Sequence, residues 1–267
     1  MNVILLSATD LAMAGGLIFL LGSASQISRL GITKSLYIAS FRTAGQLFLI
    51  GFVLKALFEN PNPLWILLVS LTMLIAAGRE VGARQNRKLA GTWNFLTGTT
   101  AMFFSSFTIT FFALVAIIQN DRWYDPQYGI PLLGMVLGNT MTGVSLGLDN
   151  LTTSSWKSKN TIEAQLACGL SWQKSISAIR RDSIRTGMIP IINSMAAAGL
   201  VSLPGMMTGQ ILSGTSPLEA VKYQILIMFL IASGTGIGTL IAVILGSRRL
   251  FDDRHRLRLD RLTEPRQ

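Results

Sequence analysis

Charge is the first thing this sequence lacks. Only 13% of its 267 residues are Asp, Glu, Lys or Arg, against about 25% in a soluble domain. That deficit excludes an ordinary soluble globule. Cysteine is almost missing too. Cys168 stands alone, so no intrachain disulfide can form. His255 is the one histidine. A zinc site takes four ligands, mostly His and Cys, so a protein-only site of that kind cannot be assembled. There is no phosphate-cradling G-x-x-x-x-G-K-[ST] loop. The nearest approach, GLSWQKS at Gly169–Ser175, lacks the second glycine and the length, which excludes ATP hydrolysis by that route. A deep histidine and a paired-carboxylate constellation are also missing, which argues against an intramembrane enzyme.

What is present is apolar sequence in long blocks. Half of the chain is hydrophobic, and a helix needs about 18–25 apolar residues to cross about 30 Å of hydrocarbon. Seven runs meet or approach that length: Val3–Gly22, Leu36–Phe58, Pro63–Ala77, Thr97–Ile118, Ile130–Leu151, Met188–Leu212 and Val221–Leu245. The third is short enough to dip in and return. The first has no Lys or Arg before it, and Asp10 interrupts it, so it reads as a retained helix rather than a cleaved signal. The expected fold is all-α: a polytopic membrane protein of about seven transmembrane helices, a single permease domain over residues 1–267.

The net charge of +10 is not scattered. Nineteen of the 23 basic residues fall on alternate loops: Arg29 and Lys34; Arg79 to Lys88; Lys157 to Arg185; and seven arginines from Arg248 onward. This is the positive-inside bias. It places the N-terminus outside and the C-terminus in the cytoplasm, of the inner membrane in a bacterial cell. It also makes topology, and not nucleic acid, the reason for the basic charge. The lipid bilayer is the expected partner. In the outer loop Gln119–Gly129, Trp123, Tyr124 and Tyr128 suit an interfacial aromatic belt.

The longest polar stretch is Thr152–Gly187. Ile162 and Leu166, then Trp172, Ile176 and Ile179, recur at helical spacing, with charges opposite. Thr161 is placed to cap a first helix, Gly169 to break it and Ser171 to cap a second. The expectation is helix, turn, amphipathic helix on the cytoplasmic face. The basic tail 248–267 is expected to be solvated or to touch lipid headgroups.

Inside the membrane runs, Gly134 and Gly138, then Gly143 and Gly147, have the spacing that lets helix backbones approach. Asn139, Thr140, Thr142 and Ser145 are expensive against lipid, so they face protein or a wet path. Two readings of them stay open: interhelical glue, or cargo contact by Asn139 and Met141. In the sixth run Asn193 and Ser194 are polar. Pro204 removes a backbone hydrogen bond, and Pro204, Gly205 and Gly209 are expected to form a bending point with close packing. Met206 and Met207 either fill space or offer soft thioethers; a metal-ligand set is not defined. Asp10 and Arg42 are charges at membrane depth on different halves.

Three stretches carry a resemblance: GMVLGNTMTGVSLGLDNL (Gly134–Leu151), IEAQLACG (Ile162–Gly169), and the order Asn-Ser-Met…Leu-Pro-Gly-Met-Met-Thr-Gly-Gln within Gly187–Ile231. Together they resemble the FetB family of ATP-binding-cassette (ABC) permeases, which includes bacterial iron export permeases and plant relatives linked to aluminium tolerance. Glu163-Ala164 with Gly169 is similar to the coupling loop of such permeases, where a short cytoplasmic helix enters a groove of the ATPase. The resemblance implies a membrane permease exporting iron or another metal. It also implies a homodimer and a separate cytoplasmic ABC ATPase that holds ATP and Mg; no cofactor is expected on this chain. The alternatives are an ABC permease for a small organic solute, or a gradient-driven carrier, which would call for intramembrane acids and an inverted repeat.

Overall fold

A computed structural model describes residues 7–119 and 124–264. Arg122, Trp123 and residues 3–6 of the first run lie outside the described residues. Ten helices follow in order: α1 (Ala8–Ile27), α2 (Thr33–Glu59), α3 (Pro63–Ala83), α4 (Trp93–Ile118), α5 (Pro126–Lys157), α6 (Lys159–Ala167), α7 (Trp172–Ser175), α8 (Ser177–Ala197), α9 (Gly205–Leu212) and α10 (Pro217–Arg249). Two stretches of α4, Phe103–Phe107 and Ala113–Ile118, are wound as π-helix. Among the described residues six helices are long and apolar enough to cross a membrane: α1 to α5 and α10. The third run is among them, because its helix continues to Ala83.

The long helices start in a common way. Asn62-Pro63, Asp125-Pro126 and Ser216-Pro217 open α3, α5 and α10, and each polar side chain accepts a hydrogen bond from a backbone N–H of the first turn. The proline fixes φ at a position whose N–H would have no helical partner anyway. Ser7 and Asp10 form a capping box at the start of α1, so Asp10 serves the helix end. Arg42 pairs with Glu80 of α3 and not with Asp10. A charge at bilayer depth needs such a partner.

Helix directions follow from the contacts. A Cβ on Gly234 would meet Val136, one on Gly238 would meet Thr140, and one on Gly246 would meet Leu148 and Leu151. Numbers rise together, so α5 and α10 run parallel. Along α8 they fall: Gly187 faces Gly143, Ser183 faces Gly147, and Asn150 of α5 reaches Thr186. The chain therefore returns between α5 and α10 along α8. At Gly187 an added Cβ would lie 2.5 Å from the Gly143 carbonyl oxygen and 2.6 Å from Thr239 Cγ2. The small-residue reading of α5 holds at Gly143 and Gly147 but not at Gly138, which has nothing within 4 Å. One hydroxyl serves as glue here, Ser145 Oγ donating to the Val81 carbonyl at 3.3 Å, while Thr140 is buried with its methyl against Gly238 of α10.

The sixth run, expected as one bent helix over Met188–Leu212, is instead broken. Helix α8 ends at Ala197, and residues 198–204 are non-helical. Gly199 adopts φ +83°, which an L side chain rarely adopts, and the Ala197 carbonyl accepts from Val201 and Ser202. Pro204 occupies the N-cap of α9. It ends a break rather than kinking a helix. Gly205 and Gly209, expected to pack closely, have no atom within 4 Å of a Cβ position.

The basic ends of the chain fold together. The 84–92 loop, the end of α5, α6, α7, the start of α8 and the tail meet in one layer. Asn86 N donates to Asp149 Oδ1 at 2.6 Å, and Thr152 Oγ1 donates to the Arg87 carbonyl at 2.9 Å. The Arg87 guanidinium lies 3.8 Å from the Trp156 ring centre. The tail is no solvated run. Leu250, Phe251 and Leu262 are buried, Ala90 N donates to the Arg261 carbonyl at 2.7 Å, and Thr263 N to that of Lys88 at 2.9 Å. Apolar burial and backbone pairing hold this strap although its intervening residues are charged.

Two outcomes are expected. Gly187→Ala should destabilise the protein by about 1–3 kcal/mol through overpacking, while Gly138→Ala should stay within about 0.5 kcal/mol, both read by thermal unfolding in detergent. Asp252 caps the tail turn and is held below its usual value, first by the Arg256 backbone N–H and then by the Arg256 side chain. A depressed carboxyl stabilises the folded state above its unfolded value and loses that contribution as pH falls through the folded one. Amide-exchange protection at Arg256 should therefore persist through mildly acidic pH and fall only in strong acid, whereas Asp252→Asn should lose it at neutral pH.

Candidate functional site

Two places carry polar chemistry. The first is a cleft of about 550 Å³ between α5, α8, the 198–204 break, α9 and α10. From α5 come Met135 and Asn139; from α8, Ile191, Asn193, Ser194 and Ala197; from the break and α9, Ser202, Pro204, Gly205 and Met206; from α10, Gln224, Ile227, Met228 and Ile231. The residues of α10 are spaced at three and four, one stripe of a helix. The cleft exists because α8 stops. Seven residues without helix leave room that a continuous helix would fill.

Six residues singled out from sequence meet here: Asn139, Asn193, Ser194, Pro204, Gly205 and Met206. Met141 does not, because it packs against the inner apolar core. Met207 and Gly209 lie on α9 outside the lining. Sequence reasoning missed Gln224. It is 8% exposed, and its Oε1 has no hydrogen-bond partner. The signal was legible: an amide inside the apolar run Val221–Leu245, on the stripe with Ile227, Met228 and Ile231.

The lining contains amides, hydroxyls and thioethers but no Asp, Glu, His or Cys. Among the described residues no group of three such side chains could hold a metal ion. The Asn139 amide already donates to the Met135 carbonyl at 2.8 Å, and Ser194 Oγ to the Pro190 carbonyl at 2.9 Å. Their remaining acceptor capacity faces the cleft. Such a surface offers weak, neutral contacts. It can let a solute enter and leave without holding it tightly.

The second place is the α6–α7 turn at the basic end. Helix α6 starts at Lys159, two residues ahead of the expected cap Thr161, which lies inside it. Gly169 adopts φ +82°. Leu170 N donates to the Gln165 carbonyl and Gly169 N to that of Leu166, closing the helix end in a Schellman turn. Ser171 takes the N-cap position of α7, although its side chain makes no cap bond. Glu163, Ala164 and Gly169 are exposed, while Ile162 and Ile176 are buried beneath them. The turn is thus rigidly anchored and presents its polar face outward. Asn150 is bonded within the protein. Its amide donates to Thr186 Oγ1 at 3.1 Å, and its Oδ1 accepts from Ser183 and Ser154. It ties α8 to α5 beside the turn.

The family model described as "Uncharacterised protein family (UPF0014)" matches residues 8–251. The UPF0014 membrane protein slr1647 of Synechocystis is 38% identical over 255 residues, covering 93% of this chain and 96% of that protein. The probable iron export permease protein FetB of Escherichia coli is 32% identical and covers 93% of each chain. The protein ALUMINUM SENSITIVE 3 of Arabidopsis thaliana is 33% identical over 75% of this chain and 71% of its own. No solved structure matches. With a family match over most of its length and six helices long and apolar enough to cross a membrane among the described residues, the chain belongs to the UPF0014 family of multi-pass membrane proteins.

Proposed function

We propose that this chain is the membrane-spanning subunit of an ABC transporter that exports iron or another metal, powered by a separate cytoplasmic ATPase that holds ATP and Mg. One observation carries the reading. Helix α7 abuts α8 directly, with Ile176 as the residue between them, and α8 runs unbroken from Ser177 to Ala197. Its far end supplies Asn193, Ser194 and Ala197 to the cleft. A push on the Glu163–Gly169 turn would then be carried along one continuous helix, with Pro190 inside it, to the wall of a solute path about 30 Å away, at 1.5 Å per residue.

The basic residues around the turn place it in the cytoplasm by the positive-inside rule, where an ATPase would meet it. The name of the Escherichia coli relative supports iron as cargo. The neutral lining suits brief contact better than tight chelation. Asn139, Asn193 and Ser194 are exposed on the isolated chain. Amides facing lipid are costly, so a second copy covering this cleft, in a homodimer, completes the path.

The test is reconstitution with the ATPase in vesicles. Fe(II) should stimulate ATP hydrolysis and be moved only while ATP is present. Gly169→Pro should leave the permease in the membrane but reduce coupled transport by tenfold or more (roughly), because proline cannot take a positive φ. Movement that continues after the ATPase is removed, or collapses with a protonophore at constant ATP, would show a gradient-driven carrier instead. Gln224→Leu should lower transport by about tenfold while leaving ATPase capture unchanged, measured by metal flux and by co-purification.

A further inference from the structure

The tail contributes a wall to the turn just described. Phe251 lies against Trp172 of α7, ring centres 5.3 Å apart. Leu250, Phe251 and Leu262 share one core with Ile162 and Ile176. Beyond Phe251 the chain reverses around Asp252. Its Oδ1 accepts from the backbone N–H of Arg254 at 3.0 Å and of Arg256 at 2.9 Å, and its Oδ2 accepts from Arg256 Nε at 2.9 Å. Pairing of Phe251 with Leu257 closes the reversal, and His255 sits at its tip with φ +59°. So dense a set of bonds gives an exposed turn a fixed shape.

That shape faces a cleft of about 740 Å³ whose other wall is Glu163, Leu166, Gly169, Leu170 and Ser171. The tail wall is Arg254, His255, Arg256 and Leu257. Leu166, Leu170 and Leu257 give the cleft an apolar lining, and two arginines give it a positive rim. Arg256 is engaged by Asp252; Arg254 has no ion-pair partner among the described residues. The family match ends at Phe251, so this wall begins where the shared region stops.

We propose that the cleft is a composite docking site for the cytoplasmic ATPase, and that the Arg254–Arg256 turn selects the partner. The occupant is a protein segment that inserts an apolar side chain between Leu166, Leu170 and Leu257 and sets a carboxylate against Arg254. The proposal rests on the ATP-driven reading above. A bilayer surface fits less well, because the site is concave and the Glu163 carboxylate in its wall repels lipid phosphate. Charge pairing at such a rim steers association and weakens with salt.

The experiment uses the full chain with each ABC ATPase subunit of the source organism in turn, in nanodiscs of zwitterionic lipid and in others with anionic lipid. Arg254→Glu should raise the Kd for the ATPase by about tenfold or more, Arg254→Lys should restore most of it, and the thermal midpoint should not move. Capture by the parent chain should fall with added salt, and by less in Arg254→Glu. Equal capture by the parent chain and Arg254→Glu would overturn the tail's role and leave the transporter reading standing. A loss confined to anionic nanodiscs would assign the turn to lipid headgroups and overturn the proposal. Failure of the parent chain to capture any ATPase would sink the transporter reading itself.

Discussion

The architecture depends on two glycines, Gly143 and Gly187, that let α5 and α8 meet backbone to backbone. In lipid there is no hydrophobic drive to bring helices together, so close van der Waals packing supplies much of it. Thr239 of α10 completes the contact, and α8 is thereby held between two parallel helices. Its place decides the rest. One end of α8 joins the coupling turn, the other ends at the break, and the break opens the cleft. Move α8 outward by one methyl group and both functional places shift together.

Much of this fold was legible in the sequence. Hydropathy located the six helices that are long and apolar enough to span, though it misplaced α8, and the alternation of basic loops gathered the residues that the structure packs at one end. Gly169 and its turn were readable because a positive φ after an apolar stripe has few uses. Other features were hidden by the same measure that revealed the helices. Residues 198–204 include Leu200, Val201 and Leu203, apolar enough to pass for helix, and only the backbone at Gly199 shows the interruption. Glu80 was taken as part of a loop because the run before it seemed to stop at Ala77, so the partner of Arg42 was overlooked. In the tail, the arginines masked Leu257, Leu259 and Leu262. Charge density described its surface and said nothing about the three leucines beneath.

The cleft and the turn divide the chemistry between them. The cleft is neutral, with its polar groups largely spent on their own helices, as at Asn139 and Ser194. The turn carries the charge. A path that bound its cargo with carboxylates would hold it against the direction of travel, whereas amides and thioethers bind weakly enough to release. In the proposed ATP-driven reading, the α7–α8 junction is where an outside force would enter.

The strap formed by the tail also orders events in time. A ribosome makes Trp172 long before Phe251, and α10 must be in place before the tail can reach back across α7. Until Leu262 has been made and has folded back, the α6–α7 turn lacks one wall and part of its core. A chain interrupted before that point would therefore carry its spanning helices with the turn half built. If the turn receives an ATPase, as proposed above, the strap acts as a seal on assembly, since a partner could seat there only after α10 is in place.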